Sequence, residues 1–204
     1  MRRWIVYVFL FGVIGTQLFA VRAAQAQVQA QQPSSAGRLE LAFTYTASRA
    51  NFVPGTAFWM QGGGAEVAVR AGHGFSAVGS IAGMHAGPAT SGVPLSMMVE
   101  SFGPRYTLSP SSQKGAHGVS VFGQGLIGAA QGFSSTFPGA SGPTSNANSL
   151  AFQVGGGVDV KLSRYLALRA GELQWLRTEL PNSTTNVQNS LLVAAGIVFK
   201  IPAR

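Results

Sequence analysis

Apolar and polar residues alternate one by one in three long stretches of this chain. In the first, Leu39, Leu41, Phe43, Tyr45 and Ala47 fall on one side and Arg38, Glu40, Ala42, Thr44, Thr46 and Ser48 on the other. A period of two is the mark of a strand with one apolar face. The pattern returns with Leu150, Phe152, Val154, Gly156, Val158 and Val160 set against Ser149, Ala151, Gln153, Gly155, Gly157, Asp159 and Lys161. It closes the chain with Leu191, Val193, Ala195, Ile197, Phe199 and Ile201 against Ser190, Leu192, Ala194, Gly196, Val198 and Lys200.

Extending this reading between turn signals predicts eight strands, at 38–49, 56–71, 75–87, 97–109, 118–132, 149–161, 165–179 and 189–201. A soluble sandwich would show the same alternation, with its apolar face turned to a core. Two features favour a membrane barrel. The minor face is rich in Gly, Ala, Ser and Thr and poor in the Lys and Glu of a wetted soluble surface, which suits a narrow, filled lumen. The connections also alternate, short at Gly72-His73-Gly74, at 110–117 and at 162–164, long and polar at 88–95, 133–148 and 181–188. Outer-membrane barrels have short periplasmic turns and longer external loops. The fold expected is therefore all-β, an eight-stranded antiparallel up-and-down transmembrane barrel with both termini in the periplasm.

Alternation slips in the seventh strand, where an inward Arg169 would send Glu172 into lipid. One extra residue around Ala170-Gly171 repairs the phase, keeping Arg169, Glu172 and Gln174 inside with Leu173 and Trp175 outside. Tyr45, Phe58, Trp59, Phe75, Tyr106, Tyr165 and Trp175 fall near strand ends, where interfacial girdles sit.

The N-terminus supports export. Arg2 and Arg3 precede an apolar run from Trp4 to Phe19, followed by Ala24-Gln25-Ala26, which together read as a signal peptide at 1–26, with Val28-Gln29-Ala30 as the second cleavage choice and an uncleaved anchor as the rival reading. Cleavage after Ala26 leaves 178 of the 204 residues, a flexible leader at 27–37, one barrel domain at 38–201 and a tail at 202–204. Losing Arg2, Arg3 and Arg22 with that segment leaves 11 basic against 6 acidic residues, scattered without a basic run, so no nucleic-acid partner is expected. Without cysteine the chain has no disulfide, thiol catalysis or cysteine-zinc site. Its three His and six acids have no metal-ligand spacing, and no cofactor is expected.

Phe102-Gly103-Pro104-Arg105-Tyr106-Thr107, the strand Gly155-Gly156-Gly157-Val158-Asp159-Val160, the segment 166–178 and the ending 188–199 together resemble small outer-membrane β-barrel domains of the porin-like, OmpA-like superfamily, over roughly residues 38–201. The resemblance implies residence in a bacterial outer membrane after export through the periplasm. It also implies the barrel-assembly machinery as a partner, since the closing strand ends on Gly196, Phe199 and Ile201; Ala194 and the tail 202–204 depart from that assembly signal.

The site residues follow from the barrel reading. Arg38, Glu40, Glu66, Arg70, Arg105, Asp159, Lys161, Arg169 and Glu172 are assigned to the lumen, where both signs should pair and plug it. Leu41, Phe43, Phe152, Val154, Val158, Leu173, Trp175, Val193, Ile197 and Phe199 are assigned to the lipid-facing wall. The function expected is a structural or weak passive-transport role in the outer-membrane bilayer. Three alternatives stand beside it: a surface module whose loop 133–148 binds an unknown external ligand, a soluble periplasmic lipid-binding barrel, and a lipid A-modifying enzyme. The enzyme would need His85, alone near the outer rim, to find Ser91 or Glu100. No pattern ties the three together, and none is expected to be catalytic.

Overall fold

The computed structural model describes residues 39–53, 56–87, 94–109, 118–139, 142–182 and 186–201. The expected signal peptide and leader, Arg38 and the tail lie outside the described residues. Eight strands, β1 (Leu39–Val53), β2 (Thr56–Gly72), β3 (Phe75–Ala86), β4 (Leu95–Leu108), β5 (Val119–Phe137), β6 (Thr144–Lys161), β7 (Leu166–Thr178) and β8 (Gln188–Ile201), close into one barrel in chain order. Every neighbouring pair is antiparallel, including β8 with β1. The expected fold class is thus the observed one.

Following cross-strand partners round the wall from Leu41 leads to Asn189 of β8, and continuing the β8–β1 register two residues past Arg49–Leu191 meets β1 at position 51, ten residues higher. Closure with such a stagger tilts the strands, typically by about 35–45°. Below, the end where β1 begins and β8 finishes is the terminal end, and the other is the distal end.

Three local devices shape the wall. At the terminal end, Gly72, His73 and Gly74 all take positive φ (120°, 50° and 86°), which lets β2 and β3 join through a tight turn. In β7 the ladder to β6 skips Ala170, pairing Val158 with Gly171 and Asp159 with Arg169. The β8 side shows the same extra residue, Arg169 facing Gly196 and Glu172 facing Ala194. The bulge falls where the broken alternation requires it. In β5 a larger irregularity between Phe133 and Phe137 includes Ser134 at φ 56°.

That β5 irregularity corrects an expectation. Residues 133–148 are no long loop: β5 runs to Phe137 and β6 starts at Thr144, so the connection shrinks to 138–143. Nor do loop lengths separate the two ends as expected, since β1 and β2 join at the distal end through 54–55 alone while 109–118 at the terminal end is among the longest connections. Ser, Thr, Asn and Gly suit a polar hairpin as well as a loop, and composition does not tell them apart.

The outer wall is sorted by level. Arg49, Gln61, His85, Ser96, Gln131, Asn148, Arg177 and Asn189 point outward, one from each strand, and the stagger brings them to a common height near the distal end. Beneath this polar ring each strand continues for nine to eleven residues whose outward positions are apolar, small or aromatic, as from Ala47 to Leu39 in β1 or Leu191 to Ile201 in β8. Glu100 is the one outward carboxylate below the ring among the described residues. At the lower edge Phe75 and Tyr106 pack at a tilt with ring centroids 4.8 Å apart, and Phe43 meets Phe199 edge-on at 6.2 Å.

Candidate functional site

The lumen is filled in layers, each positioned by the inward phase of the alternation. Near the terminal end Glu40 and Arg70, on adjacent strands, form a loose pair at 3.7 Å with Arg70 30% exposed. Lys161 is exposed at the end of β6.

Above this pair lies a tight ionic layer. Arg169 donates to Glu66 (3.0 Å), Asp159 (3.0 and 3.4 Å) and Glu172 (2.9 Å). Arg105 binds Glu66 at 2.5 Å and donates to Gln124 at 2.8 Å. Gln124 passes the chain on to Glu172 at 3.0 Å, and Gln174 donates to the same carboxylate. All five charged residues are at least nine-tenths buried. Burial in low dielectric leaves such charges costly unless every one is paired and hydrogen-bonded, which this network achieves. Both guanidiniums lie over Phe122, their carbons 4.2 and 4.5 Å from its ring centroid. Gly157 makes room for that ring, since a Cβ there would come within 2.8 Å of Phe122 Cζ and 2.7 Å of the Gly171 carbonyl.

A cavity of about 30 Å³ adjoins this layer, lined by Thr44, Thr46, Ser80, Glu66, Glu172 and Leu192 among others. Its size suits a water or two. The distal half of the lumen is an apolar plug of Phe58, Met60, Met84, Leu95, Met97, Val99, Leu176 and Leu192, all buried. Among the described residues two cover it. Phe137 folds back from the β5 irregularity so that its ring lies over Gly132. Leu180, fully buried, is held by Gln188, whose amide accepts from the Leu180 N–H (2.9 Å) and from Thr178 Oγ1 (3.1 Å) and donates to the Leu180 carbonyl (2.7 Å).

The structure thus brings together Glu66, Arg105, Asp159, Arg169 and Glu172, and keeps Glu40 and Arg70 apart from them as a separate pair. All ten residues assigned to the outer wall, Leu41, Phe43, Phe152, Val154, Val158, Leu173, Trp175, Val193, Ile197 and Phe199, lie on the outward face. Phe58 does not share the outer face with Trp59: it is 3% exposed inside the plug. Adjacent residues of a strand point to opposite faces, so both cannot belong to one girdle.

Sequence reasoning missed the apolar plug, Phe122 and the Gln188 clamp. The signal for Phe122 and Gln124 was present in the period of β5, where Phe122, Gln124 and Leu126 share the inward phase. No such signal marked the plug, because Phe58-Trp59-Met60 of β2 and Met97-Met98-Val99 of β4 are apolar on both faces.

The arginines and carboxylates of the ionic layer occupy one another, and the described residues include no cluster of ligands for a metal. His85 Nδ1 lies 2.9 Å from Ser96 Oγ on the outer face. Glu100 does not complete a triad with them, facing Ile81 four residues further along β4. Ser91 lies outside the described residues.

No family model matches the chain, and no curated protein does. Among solved structures it is similar to Ail, the attachment invasion locus protein of Yersinia pestis, at 15% identity and a TM-score of 0.55, covering 81% of this chain and 99% of that one. Ail in complex with the heparin analogue sucrose octasulfate gives 15% and 0.54 over the same shares. Neisserial surface protein A follows at 9% identity and 0.53, covering 83% of this chain and 100% of that one. Identities this low speak for the fold alone. The fold is that of the small eight-stranded outer-membrane β-barrels.

Proposed function

We propose that this chain is an integral protein of a bacterial outer membrane whose lumen is closed and whose role is structural. The observation that carries this reading is the apolar sleeve beneath the polar ring. A membrane-spanning strand needs about 9–11 residues at this tilt, and the apolar band of such barrels is about 25 Å tall. Each strand here supplies that length, all on one level. A soluble lipid-binding barrel would need the reverse arrangement, a wetted exterior and an open apolar cavity. An ionic layer beneath a packed apolar plug also favours a structural over a passive-transport role. Insertion by the barrel-assembly machinery is part of this proposal, supported by the in-register pairing of β8 with β1.

The test is envelope fractionation with gel mobility before and after boiling, together with planar-bilayer recording. A heat-sensitive mobility shift, resistance to carbonate and no conductance are expected. Release by carbonate would overturn the membrane reading, and steady conductance would overturn the closed lumen.

A second reading, surface recognition, has one observation in its favour. The β5–β6 hairpin continues past its neighbours: β4 starts pairing with β5 only at Ser96 with Phe133, and β7 stops pairing with β6 at Thr178 with Ala151. Residues 144–150 therefore form a polar ribbon with one edge outside the ladder to β7, open to an added strand from a partner. Ail, which shares the fold, is an attachment invasion locus protein. Replacing 138–143 and trimming the ribbon, with Phe137 kept, should remove adhesion to host cells if this reading holds and leave the barrel folded; unchanged adhesion of a strain that depends on this protein would sink it.

A further inference from the structure

We propose that the barrel associates laterally with a second copy of itself, the outer face of β3 to β5 around Glu100 in one copy seated against the outer face of β8 and β1 around Arg49 in the next. The inference rests on the membrane reading above.

Glu100 interrupts an otherwise apolar sleeve. Its cross-strand neighbours are Ile81 and Ala129, and it has no hydrogen bond or ion pair among the described residues. Acyl chains give a carboxylate no partner, so a cation at the same depth is the natural complement. Arg49 also lacks a partner among the described residues, and lies outward between Trp59 and Leu191 in the polar ring. Glu100 lies four residues along β4 from Ser96 of that ring, a difference in level bridged by the two long side chains reaching toward each other.

Within one barrel the two cannot meet, because β4 and β1 stand three strands apart. Between copies they can. All copies in one membrane share one orientation, so these levels coincide wherever two barrels touch. A two-fold contact would set Glu100 against Glu100. The head-to-tail contact instead pairs opposite charges, and it builds rows or rings. The wall near Glu100 also allows close approach: at Gly79, Gly83 and Gly125 a Cβ would meet nothing within 4 Å, leaving the surface recessed.

The chain has no cysteine, so engineered pairs report contacts cleanly. Met98→Cys combined with Ala47→Cys in the full-length protein should give a ladder of cross-linked species on oxidation in isolated membranes, while neither single variant extends beyond a dimer. Adding Glu100→Gln should weaken the ladder by about fivefold, in the range of one exposed ion pair. The charge exchange Glu100→Arg with Arg49→Glu should restore it. A ladder indifferent to Glu100→Gln would overturn the proposal, as would dimers formed by Met98→Cys alone at full yield, or loss of the ladder on chelating divalent cations, which would assign Glu100 to lipid headgroups. Absence of any ladder while the protein stays in the carbonate-resistant fraction refutes self-association alone; absence of the protein from that fraction refutes the membrane reading.

Discussion

Arg169 reaches across the lumen from β7 to Glu66 on β2, Nη1 to Oε1 at 3.0 Å, joining residues 103 positions apart. The two strands are not neighbours: β8 and β1 lie between them. One guanidinium thereby braces opposite parts of the wall, and it also holds Asp159 and Glu172.

Replacing Arg169 by Met should therefore be among the most damaging single changes. Three carboxylates would remain buried with only Arg105 near them, and removing one partner of a buried pair costs roughly 3–5 kcal/mol. Urea titration in micelles, read by the folded and unfolded gel bands, measures this; a loss below about 1 kcal/mol, the range of an exposed pair, would refute the bracing role.

Gly157→Ala should destabilise although it adds one methyl to a strand. The new Cβ would crowd Phe122 and the Gly171 carbonyl, and overpacking typically costs about 1–3 kcal/mol. Pairing it with Phe122→Leu should recover part of the loss, which a double-mutant cycle would show.

The apolar plug predicts a stability effect without a transport effect. Phe137→Ala or Leu176→Ala should cost about 2–5 kcal/mol, yet neither should conduct, because the ionic layer still closes the lumen beneath. Channel recordings of the folded variants check this; open events in either one would mean that the ionic layer does not seal.

The outer sleeve predicts a dependence on depth. Val154→Arg, midway along β6 on the outward face, should cost about 2–4 kcal/mol, whereas Gln131→Arg in the polar ring should cost no more than about 1. Equal costs at the two sites, measured by unfolding in bilayers, would remove the basis for placing the membrane there.

How much of this was legible in the sequence depended on whether a strand's two faces differ. β1, β6 and β8 alternate cleanly, and their phase, their partners and the bulge at Ala170-Gly171 could be read from residue order. Arg169 and Glu172 were assigned inward because a carboxylate facing lipid is disfavoured. Near the distal ends of β2 and β4 the signal fails, since Phe58 and Trp59, or Met97 and Met98, are apolar on both sides and the period of two disappears. The β5–β6 connection failed for another reason: Ser, Thr, Asn and Gly satisfy a strand on a polar ribbon as easily as a turn. That Glu40 and Arg70 stand apart from the cluster was also hidden, because alternation gives the face of a side chain and not its height across a tilted, staggered wall.

The layering of the lumen bears on how such a chain finds its alignment. Where a β-strand is greasy on both sides, sliding it by one position against its neighbour exchanges one oily side chain for another, and the hydrophobic effect scarcely objects. A slide of the same size at Glu66, Arg105 or Asp159 would thrust an ion into hydrocarbon. The buried charges thus serve as the ruler against which the cylinder is zipped shut, and the oily half above them inherits its alignment from below.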